Sequence, residues 1–117
     1  MPHLQLEYSS NATATPTPDL FSRLHTILAD HGVKIGNCKS RAVERDNYLV
    51  ADGGTEEAFV HLEVRILKGR SPELKTSIGN AMLSALREDF GEEAVQITVE
   101  IRDIEKESYF KFPGGTL

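Results

Sequence analysis

Residues 59–101 read FVHLEVRILKGRSPELKTSIGNAMLSALREDFGEEAVQITVEI and contain a strand, a helix and a second strand in that order. Apolar and polar residues alternate from Phe59 to Leu67, which predicts a half-buried strand. Ser71 and Pro72 are favourable residues for capping and starting a helix, and Gly91 can end it. One face of this helix carries apolar residues at four-residue spacing: Leu74, Ile78, Met82, Leu86 and Phe90. The second strand has its apolar residues on one side: Val95, Ile97, Val99 and Ile101.

The first half of the chain follows the same plan. Alternation from His3 to Tyr8 predicts a strand. Thr17 and Pro18 then predict a capped helix start, and Gly32 predicts its left-handed end. Residues at helical spacing lie between them: Leu20, Phe21, Leu24, Ile27, Leu28 and His31.

A weaker strand signal covers about Ser40 to Ala51 and ends at the turn residues 52–54. This turn leads into the strong strand from Phe59 to Leu67, so we expect the two strands to form an antiparallel hairpin or a near equivalent.

The repeated pattern predicts an α+β fold built from a tandem βαβ repeat. Right-handed crossovers would lay both helices on one face of a four-stranded mixed sheet. We expect a single domain over residues 1–117, with halves of about 1–57 and 58–117. The other face would be polar to mixed, and it could meet solvent or line the interior of an oligomer. Its residues are Gln5, Glu7, His61, Glu63, Arg65, Gln96, Thr98 and Glu100.

Composition excludes several functional classes. The 117-residue chain has a formal net charge of -5, which argues against nucleic acid as a partner because phosphate binding needs a clustered basic surface. The sequence has neither a signal-peptide pattern nor an apolar run long enough for a membrane span, so we expect a cytoplasmic protein. Cys38 is the single cysteine, and the four histidines lack metal-ligand spacing. No metal site is therefore predicted.

Pro2 is the first candidate for chemistry. Aminopeptidases remove an initiator methionine that precedes a small residue, so removal of Met1 would expose a secondary amine at Pro2. A free terminal amine titrates near pH 8, and apolar surroundings or nearby cations lower its pKa. An amine that is neutral near pH 7 can remove a proton as a general base and return it as an acid. The alternative is that proline is simply a common second residue.

Basic residues are the second candidate. Lys68 and Arg70 precede a helix start, where backbone donors and the helix dipole also favour anions. Arginine can grip a carboxylate with two parallel hydrogen bonds. A second group of cations follows the first helix: Lys34, Lys39, Arg41 and Arg45. For both groups the alternative is a solvated loop with salt bridges.

Histidines and the aromatic tail complete the candidates. His3 and His61 lie on polar strand faces, where a structural hydrogen bond is a more common role than catalysis. His25 and His31 fit the surface or boundary of the first helix.

Three aromatic rings near the carboxyl terminus must be covered either by this subunit or by a neighbour. They are Tyr109, Phe110 and Phe112.

Short blocks occur in order along most of the chain: Pro2-His3-x-x-x-Glu7-Tyr8-Ser9-x-Asn11, Ile35-Gly36, Ser40-Arg41-Ala42, Ala51-Asp52-Gly53, Ala58-Phe59-Val60-His61 and Gly69-Arg70-Ser71. Together these blocks resemble the 5-carboxymethyl-2-hydroxymuconate isomerase family. This family belongs to the tautomerase superfamily with 4-oxalocrotonate tautomerase and macrophage migration inhibitory factor, and its tandem βαβ fold agrees with the pattern above.

The resemblance implies a homotrimer with active sites near subunit boundaries and with no metal or organic cofactor. It implies that Pro2, once exposed, transfers a proton in a keto–enol shift of a dicarboxylate or tricarboxylate enol. Arg41 and Arg70 match positions that hold substrate carboxylates. Lys39 departs from the pattern, because an arginine is expected there and lysine lacks the planar fork.

Three functional hypotheses follow. The first is an aromatic-catabolism isomerase acting on 5-carboxymethyl-2-hydroxymuconate. The second is another enzyme of the superfamily, acting on a smaller enol such as phenylpyruvate or on a halogenated acrylate, and Lys39 keeps this alternative open. The third is a trimeric binding or structural protein without catalysis. Retention of Met1 would favour the third hypothesis, because Pro2 would then be an amide.

Overall fold

A computed structural model describes residues 1–12, 18–53, 57–91 and 95–113 of the chain. These described ranges contain four strands, two α-helices and a short 3-10 helix near the carboxyl end. In chain order they are β1 (His3–Ser9), α1 (Pro18–Asp30), β2 (Lys39–Arg45), β3 (Ala58–Leu67), α2 (Pro72–Phe90), β4 (Val95–Ile104) and the 3-10 helix Lys106–Ser108. Within these described ranges, neither α-helix combines the length and apolarity that crossing a bilayer would require.

The four strands form one mixed sheet in the order β2-β1-β3-β4. Each βαβ unit pairs its own two strands in parallel, so that His3 lies opposite Lys39 and Ala58 lies opposite Val95. The two units meet where β1 pairs antiparallel with β3. The predicted α+β architecture, with a tandem βαβ repeat and a four-stranded mixed sheet, is confirmed.

The predicted hairpin between the second and third strands is wrong. β1 lies between β2 and β3, so these two strands share no hydrogen bonds. β2 is also shorter than expected and ends at Arg45. The physical reason lies in the composition of the strands. β3 alternates buried residues with half-exposed ones, apart from the exposed Arg65, and has neighbouring strands on both edges. The polar β2, KSRAVER, tolerates an edge position.

Helix α1 ends at the glycine that the sequence predicts. Gly32 has a φ of +82°, the left-handed conformation that residues with a Cβ rarely adopt. The Gly32 N–H donates to the Ala29 carbonyl at 3.0 Å, and the Val33 N–H donates to the Leu28 carbonyl at 3.0 Å. This is the hydrogen-bond pair of a Schellman motif. Thr17, the predicted cap at the other end, lies outside the described residues.

Helix α2 begins and ends as expected, although its end has a different cause. Ser71 Oγ accepts a hydrogen bond from the Leu74 N–H at 3.1 Å, and Pro72 occupies the first turn. Gly91 follows the last residue of the helix with a φ of -82°, which any residue can adopt. A Cβ at this position would collide with the Arg87 carbonyl oxygen, so close packing favours glycine here.

The core lies between the helices and one face of the sheet. Leu6 of β1 and Leu62 of β3 are partners at the centre of the antiparallel pair, and both are fully buried. The helices contribute their predicted apolar faces to the same cluster. Their fully buried members are Leu20, Leu24, Leu28, Ile78, Met82 and Leu86. The opposite face of the sheet carries the polar side chains of the strands.

Truncation of Leu62 should destabilise the fold far more than truncation of an exposed leucine. The Leu62→Ala variant should lose about 2–5 kcal/mol of unfolding free energy, because the substitution leaves a cavity between the two units. Leu49, whose surface is 74% exposed, provides the matched control, and Leu49→Ala should stay within about 1 kcal/mol. Urea unfolding at one fixed protein concentration measures both changes. Equal losses would contradict the assignment of the core.

Candidate active site at one end of the sheet

The residues predicted to carry chemistry gather at one end of the sheet. β1 and β2 begin at this end, whereas β3 ends there because it runs antiparallel to β1. Pro2 immediately precedes β1, and Lys39 is the first residue of β2. Arg41 follows two residues later, and Arg70 lies in the connection from β3 to α2. The topology therefore collects residues from distant parts of the sequence.

Pro2 is buried and held by the neighbouring strand. Its carbonyl oxygen accepts a hydrogen bond from the Lys39 N–H at 3.1 Å, which extends the parallel β1–β2 pairing by one residue. The residue before it is held as well, since the Met1 amine donates to the Asn37 carbonyl oxygen at 2.5 Å. With Met1 attached, the Pro2 nitrogen is a tertiary amide and has no basic lone pair. The burial pattern of β1 puts Pro2 on the helix side with Leu4.

The surroundings of the amino terminus favour a neutral amine. Burial lowers the pKa of the Met1 amine, and the positive charges of Lys39 and Lys111 lower it further. Cys38 acts in the opposite direction, because a thiolate beside the amine would favour the ammonium form. The net shift is downward, so the terminal amine at this end of the sheet loses its proton more readily than a solvated one.

Lys39 and Arg41 lie on the polar face of the sheet. Lys39 pairs in register with His3, and Arg41 pairs with Gln5, so their side chains leave the sheet on the side away from the helices. Lys39 Nζ donates to the Asn37 carbonyl at 3.1 Å. Arg41 Nη1 is 3.0 Å from Nδ1 of His3. Within one chain, Arg41 and Pro2 are therefore on opposite faces.

Arg70 is anchored to the backbone at the end of β3. Its Nη1 donates to the Leu67 carbonyl oxygen at 2.8 Å, and the side chain is partly buried. Ser71, the next residue, already accepts the hydrogen bond from the first turn of α2. The hydrogen bond to Leu67 holds the Arg70 guanidinium close to the last residue of β3. The structure therefore holds the Arg70 side chain in place at the same end of the sheet as Pro2.

Sequence reasoning missed a contact between the two ends of the chain. His3 Nε2 lies 2.7 Å from the Tyr109 hydroxyl, and the two rings are 5.9 Å apart. The predicted hydrogen-bonding role of His3 is confirmed, but its partners could not be named. The sequence identified Tyr109 only as one of three aromatic residues near the carboxyl terminus. No local pattern in the sequence predicts that residue 109 contacts residue 3.

A second missed group lies beside the amino terminus. His25 Nε2 is 2.6 Å from Ser40 Oγ and 3.5 Å from Cys38 Sγ. Burial raises the pKa of the Cys38 thiol, which keeps it protonated and poorly nucleophilic at neutral pH. His25 on α1 thus connects the helix to the start of β2. The spacing of Cys38 and Ser40 on one strand face is the signal that could have paired them.

The charges at this end suit an anionic ligand. Lys39, Arg41 and Arg70 provide cationic donors, and a partly buried amine with a lowered pKa can exchange a proton. In the part of the chain that the structure describes, no three His, Cys, Asp or Glu side chains converge as metal ligands. The arrangement fits acid–base chemistry on a carboxylate-bearing molecule.

Comparisons with known proteins point to one family. The family model of 5-carboxymethyl-2-hydroxymuconate isomerase matches residues 2–113. A curated relative, the 5-carboxymethyl-2-hydroxymuconate Delta-isomerase of Escherichia coli, is 30% identical over 92 residues. That match covers 77% of this chain and 73% of the relative.

Solved structures show the same fold. A 5-carboxymethyl-2-hydroxymuconate isomerase from Deinococcus radiodurans R1 superposes with a TM-score of 0.83 at 30% identity, covering 94% of this chain and 87% of that one. A fused 4-OT, described as a wild-type symmetric trimer, has a TM-score of 0.71 at 21% identity and covers 97% and 94% of the two chains. This chain belongs to the 5-carboxymethyl-2-hydroxymuconate isomerase family and is an isomerase with the tautomerase fold.

Proposed function

We propose that this isomerase catalyses the cofactor-independent ketonisation of 5-carboxymethyl-2-hydroxymuconate, a 1,3-proton shift, with Pro2 as general base and acid. The observation that carries the proposal is the environment of the amino terminus, where burial and Lys39 lower the pKa of the terminal amine. A role in aromatic-compound catabolism follows from this substrate, and a cytoplasmic location belongs to the same proposal.

Pro2 would transfer the proton after removal of Met1. The new secondary amine of Pro2 would lie one residue closer to the sheet than the Met1 amine does. The Pro2 carbonyl oxygen already accepts a hydrogen bond there from the Lys39 N–H. Ketonisation takes a proton from the enol oxygen and returns one to carbon, so a single group that alternates between neutral and protonated forms is sufficient. The burial of Pro2 keeps this group away from bulk water.

Three cationic side chains would bind the substrate carboxylates. Arg41 and Arg70 would each present a guanidinium edge to a carboxylate, and Lys39 would add a point charge. The same cations would stabilise the negative charge that develops on the substrate oxygen, which is the larger part of many enzymatic rate gains. The contacts of Arg70 with Leu67 and of Arg41 with His3 support this role, because they limit the reorganisation needed on binding.

A homotrimer would complete the site. Pro2 and Arg41 lie on opposite faces within one chain, so Arg41 of one subunit would meet Pro2 of a neighbour at a subunit boundary. The aromatic tail supports assembly, since Phe110 and Phe112 are 88% and 97% exposed in the isolated chain. A trimer also agrees with the fused 4-OT trimers that share the fold.

Lys39 favours a second candidate substrate class within the superfamily. Its ammonium is bonded to the Asn37 carbonyl at 3.1 Å and lacks the fork of an arginine, so one carboxylate contact is weaker than in the family pattern. A smaller enol such as phenylpyruvate, or a halogenated acrylate, would need fewer such contacts. A substrate panel that includes all three compounds distinguishes these candidates.

A free Pro2 nitrogen should be essential for turnover. A form with a cleavable amino-terminal tag should have less than about 1% of the activity of the cleaved form, because the tag turns the base into an amide. Ultraviolet absorbance of the muconate measures the rate before and after cleavage, and intact mass spectrometry verifies that Pro2 is the first residue. Full activity with the tag in place would exclude Pro2 as the base. Retention of Met1 in natively expressed protein would instead favour a non-catalytic binding protein.

Substitution of Arg70 should weaken substrate binding. The Arg70→Ala variant should raise KM at least about 10-fold through loss of a charged hydrogen-bonding group, and Arg70→Lys should recover only part of it because lysine has no fork. The exposed Arg87 on α2 serves as the matched control, and Arg87→Ala should leave KM unchanged. Steady-state kinetics tests all three variants, and an unchanged KM in Arg70→Ala would remove Arg70 from the site.

The tail phenylalanines should contribute to assembly. Light scattering coupled to gel filtration should give the mass of three chains for the unaltered protein. Replacing Phe110 and Phe112 by serine should lower the association constant, because burying two aromatic rings contributes about 1.5–3 kcal/mol each. A stable monomer at micromolar concentration in the unaltered protein would contradict the trimer.

A further inference from the structure

The His3 side chain lies between a cation and a hydroxyl on the polar face of the sheet. Its Nδ1 is 3.0 Å from Arg41 Nη1, and its Nε2 is 2.7 Å from the Tyr109 hydroxyl oxygen. A guanidinium only donates hydrogen bonds, so Nδ1 must be the acceptor. The neutral ring therefore carries its proton on Nε2 and donates it to Tyr109. This network assigns the tautomer of His3.

The charges around His3 favour this neutral form. Burial lowers the pKa of His3, and so do the positive charges of Arg41, the amino terminus, Lys39 and Arg65. These groups come from the start of β1, from β2 and from β3, while the carboxyl-terminal segment contributes the uncharged hydroxyl of Tyr109. At neutral pH the imidazole thus remains available as an acceptor for Arg41.

We propose that His3 is a positioning residue that, as a neutral imidazole, orients the Arg41 guanidinium for a substrate carboxylate and links it to Tyr109 of the carboxyl-terminal segment. The proposal rests on the proposed function of Arg41. The contact with His3 uses Nη1 of Arg41. The edge formed by Nε and Nη2 does not include the nitrogen that contacts His3, and it can bind a carboxylate with two parallel hydrogen bonds. Holding Nη1 fixes the direction of that edge and reduces the conformational entropy lost on binding.

Protonation of His3 would release Arg41. An imidazolium carries hydrogen on both nitrogens, so Nδ1 would no longer accept, and two cations would face each other. Because the pKa of His3 is lowered, this change occurs below the ordinary value of about 6.5. Substrate binding should therefore weaken as the pH falls through the lowered pKa of His3. The amine of Pro2, which would transfer the proton, is a separate titrating group.

Two variants of His3 distinguish positioning from packing. The His3→Phe variant keeps a ring beside Tyr109 but removes the acceptor, and KM for the muconate should rise about 10-fold while kcat changes less than about 3-fold. The His3→Asn variant retains an acceptor oxygen near the position of Nδ1 and cannot titrate. It should recover most of the binding, and its KM should lack the increase on acidification that the unaltered protein shows below about pH 6.5.

A nonreactive anion separates this proposal from the proposed function. Calorimetric titration with propane-1,2,3-tricarboxylate should show binding that Arg41→Ala and His3→Phe weaken to the same extent, and the double variant should be no worse than Arg41→Ala. If the muconate is not turned over but this pattern holds, the proposed substrate fails and the role of His3 stands. Additive losses, an unchanged KM in His3→Phe, or no binding of the anion to the unaltered protein would overturn the role of His3. Circular dichroism verifies folding of each variant.

Discussion

The antiparallel pairing of β1 with β3 is the interaction on which the rest of the structure depends. It joins the two βαβ units through fully buried partners such as Leu6 and Leu62, which the helices cover on one face. Because the two strands run in opposite directions, the start of one lies beside the end of the other. Pro2 and Arg70, which are far apart in the sequence, therefore share one end of the sheet. The candidate site is a direct result of this central pair.

Most of the fold could be predicted because periodicity reports burial locally. The alternating run in β3, the cap at Ser71 and the stop at Gly32 each contain the signal within a few residues. The order of the strands in the sheet is not encoded within a few residues in this way. The pairing of β2 with β1 depends on which strand can be covered on both edges, and the predicted hairpin failed because closeness in sequence was taken as closeness in the sheet. Gly91 was correctly positioned for a different reason, close packing against Arg87.

The candidate site could be predicted as a set of residues but not as a set of contacts. Pro2, Lys39, Arg41 and Arg70 were named from position, charge and family blocks, and the topology gathers them at one end. Their partners were not predictable, because the contact of His3 with Tyr109 depends on the path of the whole chain. The opposite faces of Pro2 and Arg41 also became visible only with the sheet register.

The hydrogen bond from the Lys39 N–H to the Pro2 carbonyl oxygen fixes the backbone just ahead of β1. The register of β1 with β2 continues from this bond, since His3 lies opposite Lys39. Successive side chains along a strand point to opposite faces of a sheet. The spacing between Pro2 and Leu4 is therefore a structural constraint, because one residue inserted between them would move Pro2 from the helix side of the sheet to its polar side or break the bond to Lys39.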